Sequence, residues 1–385
     1  MTRLRLVGTD GATSLCELRE APGFVRPQHP LRSRVVYAAA HVVPQSWAEN
    51  VPGAPADIDW DATLGFRHHL WSWGLGVADA MDTAQRNMGL DWKATAELIR
   101  RSSAEARTVG GALVVGVNTD SVDRETISLD EVIDAYQSQL AVAEEAGADV
   151  VLMASRHLAR AATTSADYER VYAQVLGRAS APVILHWLGD AFDSNLAGYW
   201  GSSDVGVAMD TVVRIIEDNV DRVAGIKMSL LNAESEVSLR ARLPHGVRMF
   251  TGDDYNYVGL IGGDETAHSD ALLGAFAALG PNASAAVQAL DRDDPAEYRR
   301  ILGPTEELAR HIFASPTQFY KTGVAFLAWL NGHQPAFAMV GGLQSARSLP
   351  HLSEIVRLAN EVGALEKPEL ATQRWHALLD LNGIS

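Results

Sequence analysis

The sequence is poor in cysteine, in lysine and in positive charge as a whole. Among 385 residues Cys16 is the only cysteine, so no internal disulfide can form, which fits a reducing compartment. No uninterrupted apolar run is long enough to cross a bilayer, although 47% of the residues are hydrophobic. The expectation is a soluble chain with a large core. Residues 1–20 alternate charged and apolar side chains and lack the apolar centre and small-residue cleavage site of a secretion signal. No export is expected, and the cytoplasm is the expected location. A net charge of −16 at pH 7 argues against phosphate backbones and anionic membrane surfaces as partners. That leaves a small molecule, with no nucleic acid and no membrane. No Gly-x-Gly-x-x-Gly follows any strand-like run, so nothing points to a dinucleotide and no cofactor is expected.

The shortage of lysine makes one stretch conspicuous. Four lysines, Lys93, Lys227, Lys321 and Lys367, stand against twenty-eight arginines, and Lys227 ends the apolar run that starts at Val223 and continues into Met228 and Ser229. A guanidinium stays protonated at any workable pH, whereas an ammonium among apolar neighbours loses its proton more readily and can attack a carbonyl. That is the chemistry of an imine-forming lysine. A strand-end lysine that packs its stem and sends its amine to water is the plainer alternative.

Other runs of the same kind suit strands covered on both faces. They span residues 34–43, 76–81, 112–117, 148–153, 182–187, 247–251 and 270–276, which with 223–227 makes eight. Helix signals lie between them. Ser128 with Glu131 forms a capping box ahead of Val132, Ile133, Tyr136 and Leu140, and that helix should stop at Gly147. A second helix is expected over 204–223. The alternation predicts a (β/α)8 TIM barrel, with a doubly wound open sheet as the alternative. Leu4–Leu6 and Ser14–Leu18, separated by Gly8-Thr9-Asp10-Gly11, predict a small N-terminal hairpin. Beyond the eighth strand, additional C-terminal helices are expected: one from Asp294-Pro295 to Gly303-Pro304, one resuming to Phe313, one from Ser315-Pro316 to Asn331-Gly332, and a last over 351–362. The expected organisation is a hairpin and linker over 1–30, a catalytic barrel over 31–293 and a helical extension over 294–385.

A barrel places its active site at the C-terminal ends of its strands. The residues there are His41, Asp82, Asn118 with Asp120, His157, His186, Lys227, and Asp253 with Asp254. One reading makes Lys227 the nucleophile and His186, ending the preceding strand, its proton carrier. The neutral form of His186 would be needed, so activity should rise with pH through a histidine-like value near ~6.5. The other reading is a metal-dependent lyase or isomerase built on His41, Asp82, His157 and His186. A barrel that binds a ligand without turnover is a third. His68 and His69 would diverge on a helix and are not expected to act together.

Pro182-Val-Ile-Leu-His186-Trp187, then Gly225-Ile-Lys227-Met-Ser229, then Phe250-Thr-Gly-Asp-Asp254, together with the extra helices, resemble in order the dihydrodipicolinate synthase and N-acetylneuraminate lyase family. The resemblance covers roughly residues 34–365. It implies a class I, Schiff-base-forming lyase of aldolase or dehydratase type acting on a keto acid or keto sugar in carbohydrate metabolism, without a metal. It also implies a homodimer or homotetramer. The lysine of Gly-Ile-Lys corresponds to Lys227. The family's proton-carrying tyrosine falls at His186. The family's Gly-x-x-Gly-Glu loop, which holds the substrate carboxylate, is replaced here by the segment 80–89, leaving Thr83, Gln85, Arg86 and Asn87 as candidates for that task. Asp82, Asn118, His157, Asp253, Asp254 and Tyr255 complete the expected substrate-binding set, with Tyr255 and His157 as alternative proton carriers. The insert 191–204, with Tyr199 and Trp200, reads either as a wall or lid of the pocket or as a surface excursion.

Overall fold

The computed structural model describes residues 3–264 and 266–384. Two short antiparallel strands, β1 (Arg3–Val7) and β2 (Thr13–Glu17), form the expected hairpin. Eight parallel strands follow: β3 (Val36–Ala39), β4 (Gly76–Asp79), β5 (Leu113–Val117), β6 (Asp149–Leu152), β7 (Val183–Leu188), β8 (Val223–Ser229), β9 (Arg248–Thr251) and β10 (Asp270–Leu273). They close in the order β10-β3-β4-β5-β6-β7-β8-β9. The chain is a (β/α)8 barrel with an N-terminal hairpin and additional C-terminal helices, as the sequence predicts.

The apolar runs divide their residues between two layers, because successive side chains of a strand face opposite sides. Val115, Leu185, Ile226 and Met228 join the large core between barrel and helices. Val114, Val151, Ile184, Phe250 and Leu272 belong to a separate cluster that alternates with the first along the strands and fills the barrel lumen. His186 lies two residues after Ile184, and Lys227 is in register with Phe250. Both therefore face the lumen, above its apolar floor.

The helices begin where their caps dictate. Ser128 and Glu131 form the capping box of the Leu129–Glu145 helix, and Gly147 lies just past its end at φ +70°. Asp204 caps the Val205–Asp218 helix, which ends short of the expected 223 at Asn219 and a single 3-10 turn. Asp294 caps Pro295–Leu302, and the chain resumes as Thr305–Ile312. The Tyr320–Leu330 helix is buried on nearly all sides and starts later than the expected Ser315-Pro316, after a 3-10 turn over Thr317–Phe319. The Leu349–Val362 helix is not the last. Pro368–Leu381 follows it, and Trp375 Nε1 donates to Arg5 O at 2.6 Å, tying this helix to the hairpin. Val7 N donates to Ser353 Oγ at 2.8 Å, so the hairpin also rests on the Leu349–Val362 helix. Inside, the Arg67 guanidinium grips Asp79 through two bonds of 3.0 and 2.7 Å, and this fully buried pair locks the Trp60–Ser72 helix to the end of β4.

Candidate active site

Lys227 extends into the mouth of the barrel from the fifth residue of β8. Its stem passes so close to Gly252 that a Cβ there would lie 2.8 Å from Lys227 Cε and 2.1 Å from Ser229 Oγ. A side chain at this position of Thr-Gly-Asp-Asp would force Ser229 or the lysine stem to shift and would also press on Met228 O, 2.9 Å away. The side chain is 7% exposed, and among the described residues no hydrogen bond or ion pair engages its amine. Burial lowers its pKa, opposed by the carboxylates of Asp82 and Asp254. The result is an amine that deprotonates more easily than an ordinary lysine, with two carboxylates near enough for their charge to oppose that loss.

Asp254 is the complement of this arrangement. It is buried, its Oδ1 accepts from Ala275 N at 2.8 Å, and burial pushes its pKa up to about 7 against the pull of that bond and of Lys227. His186 stands beside Lys227 in register, fully buried, with Nε2 3.4 Å from Ser229 Oγ and no partner for Nδ1. Burial, reinforced by the Lys227 cation, drives its pKa well below 6.5. The direction is away from the ordinary histidine value on which the expected pH dependence rests, and it favours the neutral ring.

Thr83 follows β4 and meets a partner that the sequence did not suggest. Its Oγ1 lies 2.8 Å from Tyr320 OH, and Tyr320 stacks on Phe313 with ring centroids 4.3 Å apart. Phe192 closes edge-on against both rings. A Cβ at Gly274, just past β10, would come within 3.0 Å of both Phe313 and Tyr320, so the aromatic cover sits directly on the strand ends. Burial raises the Tyr320 phenol well above 10, with Asp82 adding to it, so the hydroxyl stays protonated. Asp82, Thr83, His186, Lys227 and Asp254 therefore share the mouth with Tyr320.

The remaining candidates are occupied elsewhere. Arg86 is bound bidentately by Asp120 and donates to Ala80 O and Gly116 O at 3.0 and 3.1 Å, which commits both residues to bracing β4 and β5. Gln85 has left-handed backbone at φ 67° and gives its amide to Val340 O at 2.8 Å. His157 spends Nδ1 on Thr119 Oγ1 and Nε2 on Arg124 O, each at 2.8 Å. With Asn87 and Asn118 it lines a recess of about 260 Å³ beside the mouth. Asn118 Oδ1 accepts from Thr119 N at 2.8 Å. Asp253 accepts from Tyr255 N and Asn256 N at 2.9 and 3.1 Å, turning the chain into the Tyr257–Gly262 helix. Tyr255 donates to Phe313 O at 2.9 Å. In the insert, Tyr199 and Trp200 are fully buried against Tyr172 and Tyr168, while Phe192 alone reaches the aromatic cover. The insert is chiefly a buried anchor that presents one wall residue.

The histidines of the metal reading do not gather. His41 Nε2 bonds Gln334 Oε1 at 2.7 Å, His157 turns to Arg124 O, and His186 faces Ser229. Among the described residues, the one group close enough to share an ion is His69, His333 and Glu366. Glu366 Oε1 lies 2.8 Å from His333 Nε2 and 3.4 Å from His69 Nε2, clasping the extension to the Trp60–Ser72 helix. His68 instead pairs with Glu105, so the adjacent histidines do diverge.

A family model described as "Protein of unknown function (DUF993)" matches residues 4–384. No curated protein matches the chain. Among solved structures, dihydrodipicolinate synthase from Aquifex aeolicus aligns with TM-score 0.66 and 13% identity over 87% of this chain and 99% of its own. A putative dihydrodipicolinate synthetase from Pseudomonas aeruginosa aligns with TM-score 0.65 and 14% identity, over 86% and 99%. The dihydrodipicolinate synthase of Bacteroides thetaiotaomicron gives 0.63 and 16%, over 84% and 98%. At such identities the likeness is one of fold, and it extends over nearly the whole of each of those proteins.

Proposed function

The chain belongs to this DUF993 family, and for it we propose a class I lyase, of aldolase or dehydratase type, in which Lys227 forms an imine with a keto acid or keto sugar. The observation that carries the proposal is Lys227 itself: a buried amine with lowered pKa and no bonded partner among the described residues, at the C-terminal end of a barrel strand. The neutral amine adds to the substrate carbonyl, the C–N bond forms, and the carbonyl oxygen leaves as water. The imine then draws electrons from the neighbouring carbon, so a proton, a C–C bond or a β-hydroxyl can be lost there. Asp254, poised near neutrality, accepts the proton that Lys227 must release. His186, neutral and with Nδ1 unpartnered, suits the proton transfer at carbon. The Tyr320–Thr83 hydroxyl pair suits the departing oxygen. The fold shared with dihydrodipicolinate synthases adds support by analogy.

The test uses pyruvate in deuterated water, followed by proton NMR. Imine formation makes the methyl hydrogens exchangeable, so the protein should catalyse their loss. Lys227→Ala should abolish that catalysis. Exchange that survives the substitution would contradict the reading.

A further inference from the structure

Lys321, a second of the chain's four lysines, also lies at the barrel mouth. It is 3% exposed, and among the described residues it forms no ion pair. Its ammonium donates to Gln318 O at 3.0 Å, lies 3.2 Å from Met88 Sδ and stands 4.7 Å from the centre of the Tyr320 ring. An ammonium has three N–H donors, and a carbonyl with a thioether occupies at most two. A buried cation left with neutral partners is costly until an anion joins it.

Its place is fixed by what surrounds it. Met88 and Asp82 belong to the loop after β4, Arg156 to the segment after β6, and Asp193 to the insert after β7; the ammonium senses all three charges. It thus sits where three strand-end loops converge, and Lys227 senses the same Asp82. Arg156 is held by Asp193 at 2.5 Å, which leaves Asp82 as the one carboxylate between two lysines. Within a chain of net charge −16, the mouth sets two buried lysines against Asp82 and Asp254, and of these carboxylates only Asp82 acts on Lys321. Tyr320, whose hydroxyl reaches Thr83, is the adjacent residue on the same helix, so one short stretch of the extension delivers both groups.

We propose that Lys321 binds the carboxylate of a 2-keto acid whose carbonyl carbon is presented to Lys227, taking the place of the glycine-rich loop that the sequence lacks. This rests on the imine reading and narrows its substrate class to 2-keto acids. Phe192, Phe313 and Tyr320 pack on one another beside the two lysines, which favours a compact substrate.

The full-length protein is incubated with cyanoborohydride and either pyruvate or hydroxyacetone, a ketone of similar size without the carboxylate. Lys321→Met should lower the ratio of pyruvate to hydroxyacetone trapped at Lys227 by about tenfold or more, the worth of one charged hydrogen bond, and Lys321→Arg should restore part of it. An unchanged ratio, or an adduct on Lys321 itself, overturns the proposal. Should neither ketone be trapped at Lys227 in the unmodified protein, the imine reading fails, and the carboxylate site is judged by equilibrium binding. In that case Lys227→Ala protein is titrated with pyruvate, with and without Lys321→Met. Binding weakened about tenfold by the second substitution supports the site. Equal affinity, or no binding to Lys227→Ala, overturns it.

Discussion

His186 and Lys227 occupy partnered positions on the adjacent parallel strands β7 and β8, both facing the lumen. The lysine's positive charge and the burial of the ring act in the same direction, and keep the imidazole neutral. A neutral ring beside an imine can accept a proton at one nitrogen while the other is a donor. His186→Phe should preserve fold and lysine adduct while turnover falls by about 10² to 10⁴, the usual worth of a positioned acid or base. Intact-mass measurement of the adduct alongside a turnover assay checks this. Loss of both together would place His186 in substrate binding.

The pH dependence should follow Lys227 and Asp254 rather than His186. Ionised Asp254 favours the protonated lysine, so its pKa near 7 and the lowered pKa of Lys227 are linked. Reductive trapping should increase with pH as Lys227 loses its proton. Asp254→Asn removes a carboxylate that holds that proton, so the midpoint should move to lower pH. A midpoint that stays put or moves upward would dissociate the two residues. His186→Phe should introduce no shift of the kind expected from losing a histidine titration.

Tyr320→Phe removes one hydroxyl and keeps the ring that packs on Phe313 and Phe192. Thr83 then loses its partner at 2.8 Å. Turnover should fall by about 10² or more if this pair serves the departing oxygen, with thermal unfolding shifted by only a few degrees. Unchanged turnover would exclude the pair from the reaction.

Glu236 gives a stability test that does not depend on imine formation. It is buried, accepts from Ser269 Oγ at 2.7 Å, and leaves Oε2 unpartnered, and burial lifts its pKa to about 7. Because the folded state holds this proton more tightly than the unfolded chain does, its contribution is present below the ordinary glutamate value of 4.5 and is lost as pH rises through about 7. Glu236→Gln should therefore gain stability over the parent above pH 7, on the order of 2 kcal/mol, and show little advantage at pH 4.5. Denaturant unfolding at the two values decides it. An equal effect at both would mean the carboxyl is not buried in its charged form.

The barrel was legible because parallel strands covered on both faces must be apolar throughout, and all eight runs became strands. Lys227 and His186 were legible because barrel order puts strand ends together. Tyr320 and Lys321 were not. They lie on a helix buried on nearly all sides, where periodicity cannot say which face meets a site. The scarcity of lysine was the one available signal, and it marks Lys321 as much as Lys227. Arg86 looked like an anion ligand because its partner Asp120 lies on the next strand's loop, a pairing that only the closed sheet creates. The Pro368–Leu381 helix escaped because Lys367 stands where a capping side chain would announce it.

The central claim is that Lys227 forms the imine. Incubating the protein with a panel of 2-keto acids and keto sugars under borohydride, followed by peptide mapping, tests it most directly. A single reduced adduct is expected on the peptide carrying Lys227, absent from Lys227→Ala protein, which should also lose turnover. Adducts confined to Lys93, Lys321 or Lys367, or turnover retained by Lys227→Ala, would contradict it.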